Sequence, residues 1–211
     1  MTLSNRLAAW LAAEGNLRPE QQAVVAYGAL TAMNTVTALA LMTALGLLSQ
    51  LSGPLFCAMV FGAGLRVLSG GAHYSAPWRC SFASSLVYLA LAVASRLLSQ
   101  LPWTLPSLAT LLGMAWCFSL WVTVTYAPTD TKAYVLSTER KATLRRLTVG
   151  AVCVVGFMWA AALFVDLPAA WLLASMVGVI WQMFTVTPVG ARTVLAVDSL
   201  LHSLGVGGEN P

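Results

Sequence analysis

The sequence predicts an all-α fold: a polytopic membrane protein with about six transmembrane helices and amphipathic interfacial helices at both ends. Two observations lead there. Charged residues make up 9% of the 211 positions and hydrophobic residues 59%, whereas soluble globular proteins carry about 25% charge. The apolar residues also fall into runs long enough to cross roughly 30 Å of hydrocarbon, separated by short polar breaks. An ordinary soluble protein is excluded. The formal net charge of +4 is small and clustered by loop, so it reports membrane orientation rather than nucleic-acid binding.

The chain reads as one membrane domain, 1–211. Leu3, Leu7, Trp10 and Leu11 recur at helical spacing, which predicts a short interfacial helix over 1–16. Met1 to Glu14 has no long apolar core with a small-residue cleavage site, so no cleaved signal peptide is expected. Gly15-Asn16 ends the first helix, and Pro19 with Glu20 opens the next. A six-span core over 23–190 then follows. Its spans run from Ala23 to about Leu51, Leu55 to about Leu68, Cys80 to about Leu98, Ser107 to Tyr126, Leu147 to Val165 and Ala169 to about Val186. Asn34 in the first is expected to face other helices, because an amide in lipid lacks partners. The second is short and contains Gly62, Gly64 and Arg66. A span that ends early in glycine leaves the next polar loop at the bilayer edge or in a protein-lined recess, and Arg66 is expected to snorkel to that side. Over the 191–211 segment, Val194, Val197, Leu201 and Leu204 recur at i, i+3, i+7 and i+10, predicting an amphipathic C-terminal helix. Asp198 and His202 read as a solvated i, i+4 pair there rather than as part of a hydrolase with Ser199 or Ser203.

Six spans put both termini on one side, with the loop 69–80 and the basic loop 127–146. That side collects Arg6, Arg18, Arg66, Arg79, Lys132, Arg140, Lys141, Arg145, Arg146 and Arg192, and the other holds Arg96 alone. Positive charge of this asymmetry marks the cytoplasmic face.

The polar island Leu68-Ser69-Gly70-Gly71-Ala72-His73-Tyr74-Ser75-Ala76-Pro77-Trp78-Arg79-Cys80 carries one of the chain's two histidines. On one unbroken helix, residues seven apart lie roughly 10 Å apart along the axis, too far for His73 to reach Cys80. Gly70 and Gly71 admit backbone conformations denied to other residues, and Pro77 suits the first turn of a new helix. A break between them, capped by Ser75 or Ala76, sets Cys80 in a first turn, where unpaired amides and the helix dipole favour a thiolate; Arg79 pushes the same way. His73 then reaches the sulfur as general base, the arrangement a cysteine nucleophile needs. By spacing alone, an unrelated His and Cys is the commoner case. A metal site is not expected, since zinc needs three or four ligands and no further His or Cys lies in a nearby loop. Cys57, Cys117 and Cys153 sit inside apolar runs as small hydrophobes.

Gly-Gly-Ala-His73, six intervening residues and Cys80 resemble the active-site motif of the accessory gene regulator B (AgrB) family, bacterial membrane cysteine endopeptidases of peptide quorum sensing. Tyr126-Ala127-Pro128-Thr129-Asp130-Thr131-Lys132 resembles that family's second signature. The family commonly continues with an Asn-Lys-Pro run where this chain has Lys132-Ala133-Tyr134-Val135, a departure that bears on substrate details more than on chemistry. The resemblance implies a catalytic pair of His73 and Cys80. From the residues themselves, Asp130 is a candidate to orient His73, with capping of its loop the alternative, and Ser81 and Ser84 are candidates to hold the substrate carbonyl, with backbone or helix-packing roles the alternative. The resemblance implies a propeptide partner with an amphipathic leader and an acidic tail. Arg66, Arg79, Lys132, Arg140, Lys141, Arg145 and Arg146 are the candidates for binding that tail. It also implies a homodimer in the bacterial cell membrane, no cofactor and no nucleic-acid partner. A transporter or channel with Arg66 and Asn34 lining a pathway is the alternative from another class.

Overall fold

The structure, a computed structural model, describes residues 19–72, 74–129 and 137–205. These form seven α-helices and no strand: α1 Pro19–Ser49, α2 Ser52–Ser69, α3 Pro77–Leu98, α4 Leu105–Tyr126, α5 Thr138–Ala162, α6 Ala169–Val186 and α7 Pro188–Ser203. The first six are long and apolar enough to cross a membrane, so the expected class holds. The interfacial helix read over 1–16 lies outside the described residues.

Prolines open several of these helices, because a first-turn residue has no helical partner for its N–H to lose. Pro19, Pro77 and Pro188 are first residues. Thr104 and Ser107 close a capping box on α4, the Thr104 hydroxyl accepting from the Ser107 amide at 3.4 Å and the Ser107 hydroxyl from the Thr104 amide at 3.0 Å. The largest boundary difference from the sequence reading is at α5. The basic segment is not loop to residue 146: α5 already begins at Thr138, capped by the Ser137 hydroxyl with Glu139 in its first turn. Arg140, Lys141, Arg145 and Arg146 therefore stand on the opening turns of a helix. Their charge suggests a loop, but Arg and Lys are good helix formers once a cap starts the helix.

The bundle is centred on α6, which packs against α2, α3, α4 and α7. Of its membrane-length window 67% is buried, against 11–33% for the other spans. Small residues permit this. A Cβ on Gly178 would lie 2.3 Å from the Ala58 carbonyl oxygen, and one on Gly62 would lie 2.8 Å from the Gly178 oxygen. The backbones of α2 and α6 are thus in direct contact, the close approach that holds helices together where lipid supplies no hydrophobic drive. As expected, Asn34 of α1 faces another helix: it accepts from the Ser81 hydroxyl of α3 through both its side-chain and its backbone oxygen.

After Pro188 the chain turns back on the bundle, with Gly190 so close to the Phe184 carbonyl that no Cβ would fit. The face that α7 buries is Gly190, Val194 and Asp198. The stripe read from sequence is only partly inside, since Val197 is 37% and Leu204 67% exposed. A ridge of three residues spaced four apart and led by glycine gives a narrow, close contact, and an aspartate lies on it. The core thereby brings three things to one end of the bundle: the end of α6, the ridge of α7 and the break between α2 and α3.

Candidate active site

The break forms as the residues dictate. α2 ends at Ser69; Gly70 follows with φ 69° and Gly71 with φ 136°, conformations that L side chains rarely adopt. Ala76 caps α3 in an extended conformation, and Pro77 takes the first position. Cys80 is the fourth residue of α3, half-buried, its amide donating to the Ala76 carbonyl at 3.0 Å. Its expected place in a first turn is realised. His73, Asp130 and Lys132 lie outside the described residues.

Between Gly70 and Cys80 the backbone is held from three directions. The Gln182 amide of α6 donates to the Gly70 carbonyl at 2.7 Å and to the Ser69 hydroxyl at 3.0 Å. The Ala72 amide donates to the Thr185 carbonyl at 3.2 Å, and the Ala72 carbonyl accepts from the Arg66 guanidinium. On another side the Thr129 amide donates to the Ser69 carbonyl at 3.2 Å, which joins the second motif to the first. Arg145 donates to the Ala127 carbonyl at 2.8 Å and fastens that second motif in turn. Arg66 thus turns to the loop backbone rather than away from it.

The third tether comes from α7. The Asp198 carboxylate accepts from the Ser75 amide at 3.1 Å through one oxygen and from Arg79 Nε at 3.0 Å through the other. Arg79 also donates to the Ser75 hydroxyl at 2.6 Å. Arg79 is 1% and Asp198 7% exposed, so the sequence reading of Asp198 as a solvated partner of His202 is replaced by a buried ion pair. Buried charges are found paired and hydrogen-bonded because each is otherwise expensive to desolvate. Burial alone would raise the Asp198 carboxyl, but the Ser75 and Arg79 hydrogen bonds and the Arg79 charge hold it below its ordinary value. A depressed folded-state value stabilises above the ordinary carboxylate range and is lost only as pH falls through the lowered value. Arg79, grouped by sequence with the tail-binding cations, is thereby engaged inside the protein.

Tyr74 stands where these tethers meet. Burial pushes its phenol up, the Cys80 and Asp198 charges push the same way, and Arg66 opposes them. A polar cavity of about 20 Å³ is lined by Arg66, Ala72, Tyr74, Ser84, Trp181 and Thr185, enough for about one water. Tyr74 also lines an apolar cavity of about 160 Å³, with Phe82, Leu86, Trp181, Val197 and Leu201. Of the supporting serines, Ser84 lines the polar cavity, whereas Ser81 is buried and committed to Asn34. Arg140 and Arg146 are exposed.

Sequence reading passes over Gln182 and Thr185, and gives Ser75 and Asp198 other roles than the one they share here. Gln182 carried a signal: it is the only amide side chain in the apolar span Ala169–Val186. Among the described residues no group of three or more His, Cys, Asp or Glu is placed to hold a metal. No curated protein and no solved structure matches the chain. A family model does, Accessory gene regulator B, over residues 4–186, which spans both motifs, every membrane span and the tethers from α6. The chain belongs to the accessory gene regulator B family and so takes part in accessory gene regulator peptide processing.

Proposed function

We propose that this protein is a membrane cysteine endopeptidase that removes the C-terminal tail of a quorum-sensing propeptide and promotes closure of the remaining peptide into a thiolactone or lactone ring. The observation that carries the reading is Cys80 in the first turn of α3, after a glycine break whose backbone is tied to α2, α6 and α7, in a chain of this family. Tethering of this kind is what a nucleophile needs to keep a productive geometry.

In the proposed reaction His73 takes the Cys80 proton, and the thiolate attacks the carbonyl carbon before the tail. The C–N bond breaks, His73 returns the proton to the leaving amine, and a thioester joins the peptide to Cys80. An internal cysteine or serine of the peptide then attacks that thioester. Its proton passes to the departing Cys80 sulfur, and the ring closes. The test is co-expression with a peptide bearing an amphipathic leader and acidic tail, followed by mass spectrometry. A cyclic product lacking the tail is the expected result; unprocessed peptide alone would defeat the reading. The transporter alternative draws no support from Asn34 and Arg66, since both are engaged in holding α3 and the Ala72 backbone.

The basic turns of α5 are proposed to receive the tail. Reversing the charge of Arg140 and Arg146 should weaken substrate use several-fold. Raised salt should do the same to the unmodified enzyme, because exposed charges are screened beyond about 8–10 Å. An apparent affinity indifferent to salt would remove this role. In this proposal the site and both termini lie at the cytoplasmic face of a bacterial membrane, a reading supported by the distribution of positive charge. A cysteine introduced as Arg192→Cys should then react with an impermeant thiol reagent only after the cells are opened. Labelling in intact cells would reverse the orientation.

A further inference from the structure

We infer that Asp198 is a positioning residue for Cys80: the C-terminal helix α7 holds the 74–80 segment from outside the six-span bundle. The inference rests on the proposed role of Cys80 as nucleophile. Asp198 lies beyond the residues 4–186 matched by the family model, and is the one carboxylate α7 contributes.

The geometry is that of a clamp. One carboxylate oxygen accepts from the Ser75 amide, on the loop side of the helix start, and the other from Arg79 Nε, on the helix side. The Arg79–Ser75 hydrogen bond closes the ring. The clamp therefore fixes the angle at which the loop enters α3, one residue before Cys80 and one residue after Tyr74. Gln182, Thr185 and Arg66 act further back, on Ser69, Gly70 or Ala72. Ala76, the capping residue, makes no side-chain capping bond. A helix start without its own side-chain cap takes its direction from what holds the flanking residues, and here that is Asp198. Because α7 meets the bundle along the narrow ridge of Gly190, Val194 and Asp198, displacing this helix would move the clamp with it.

Two variants separate positioning from bulk stability. Asp198→Asn keeps the shape of the side chain and removes its charge. Arg79→Met/Asp198→Leu removes both charges and refills the space, a replacement that often leaves folding intact where a single change does not. In lipid nanodiscs, amide exchange in peptides covering 74–80 should rise in both variants, while melting of the double variant stays within a few degrees of the parent. Its kcat for tail removal should fall about 10²-fold, the cost of a misplacement of about 1 Å, with KM within about twofold.

Unchanged exchange over 74–80 would overturn the clamp. Recovery of parental kcat in the double variant would reduce the pair to a stabilising one, and a loss confined to KM would mean that Arg79 meets the substrate instead. The exchange measurement needs no activity. If Cys80→Ala still processes peptide, the proposed function fails while the exchange result on the clamp still stands or falls by itself.

Discussion

Cys80→Ala is expected to abolish tail cleavage in liposomes while the protein inserts and packs as before. The thiol is half-buried at the start of α3, so removing it takes away one small group and opens little space, and the six spans rest on contacts centred on α6. The chemistry has no such margin, because without the sulfur there is no covalent route. His73→Ala should lose at least about 10²-fold, the lower end of what a positioned general base contributes. Normal processing by purified Cys80→Ala would sink the mechanism. The same assay exposes the intermediate. A substrate whose internal cysteine is replaced by alanine can be cleaved but cannot close its ring, so a peptide joined to Cys80 should accumulate as a hydroxylamine-labile mass increase. Linear product formed at an undiminished rate, with no adduct after rapid acid quench, would replace the thioester by direct hydrolysis.

The sequence displays the break between α2 and α3 plainly, and for a physical reason. Glycine and proline act on the backbone within a residue or two of themselves, so Gly70, Gly71 and Pro77 announce a local event in local terms. The six spans are legible for the same reason, since length and hydropathy are properties of a segment. The partners of the loop are not local. Gln182 and Asp198 lie 112 and 123 residues from the groups they bind, Gly70 and Ser75, and no periodicity connects them. Asp198 was obscured further by His202, four residues on, because an i, i+4 pair of opposite type is complete in itself on paper. What overrides it is burial: the Gly190–Val194–Asp198 ridge turns the carboxylate inward, where Arg79 meets it at 3.0 Å. The start of α5 is hidden in a related way. A run of cations looks like solvent-exposed loop, yet Ser137 and Glu139 start a helix beneath it.

Gly71→Ala should cost activity by disturbing the loop itself. Two independent penalties meet at that residue. Its φ of 136° is a conformation that alanine adopts only under strain, worth about 1–3 kcal/mol when the surroundings enforce it. The added Cβ would also lie 2.9 Å from the Thr185 hydroxyl oxygen and 3.3 Å from the Gln182 amide nitrogen, so the strain cannot be relieved without moving the groups that hold the loop. Gln182 binds the Gly70 carbonyl and the Thr185 backbone binds the Ala72 amide, on either side of Gly71. The methyl therefore pushes against both tethers at once. If the backbone relaxes toward negative φ, the loop leaves α6 and carries the Ala72 end of the motif away from Cys80. Gly64→Ala is the matched control: it lies seven residues earlier in α2, exposed, with nothing within 4 Å of an added Cβ. There alanine should be neutral or stabilise by about 0.5–1 kcal/mol, as within helices generally. Melting in nanodiscs should drop for Gly71→Ala and hold for Gly64→Ala. Tail cleavage should fall at least tenfold in the first and remain unchanged in the second. A Gly71→Ala protein with parental kcat would show that the loop conformation seen here is not the one in which Cys80 reacts.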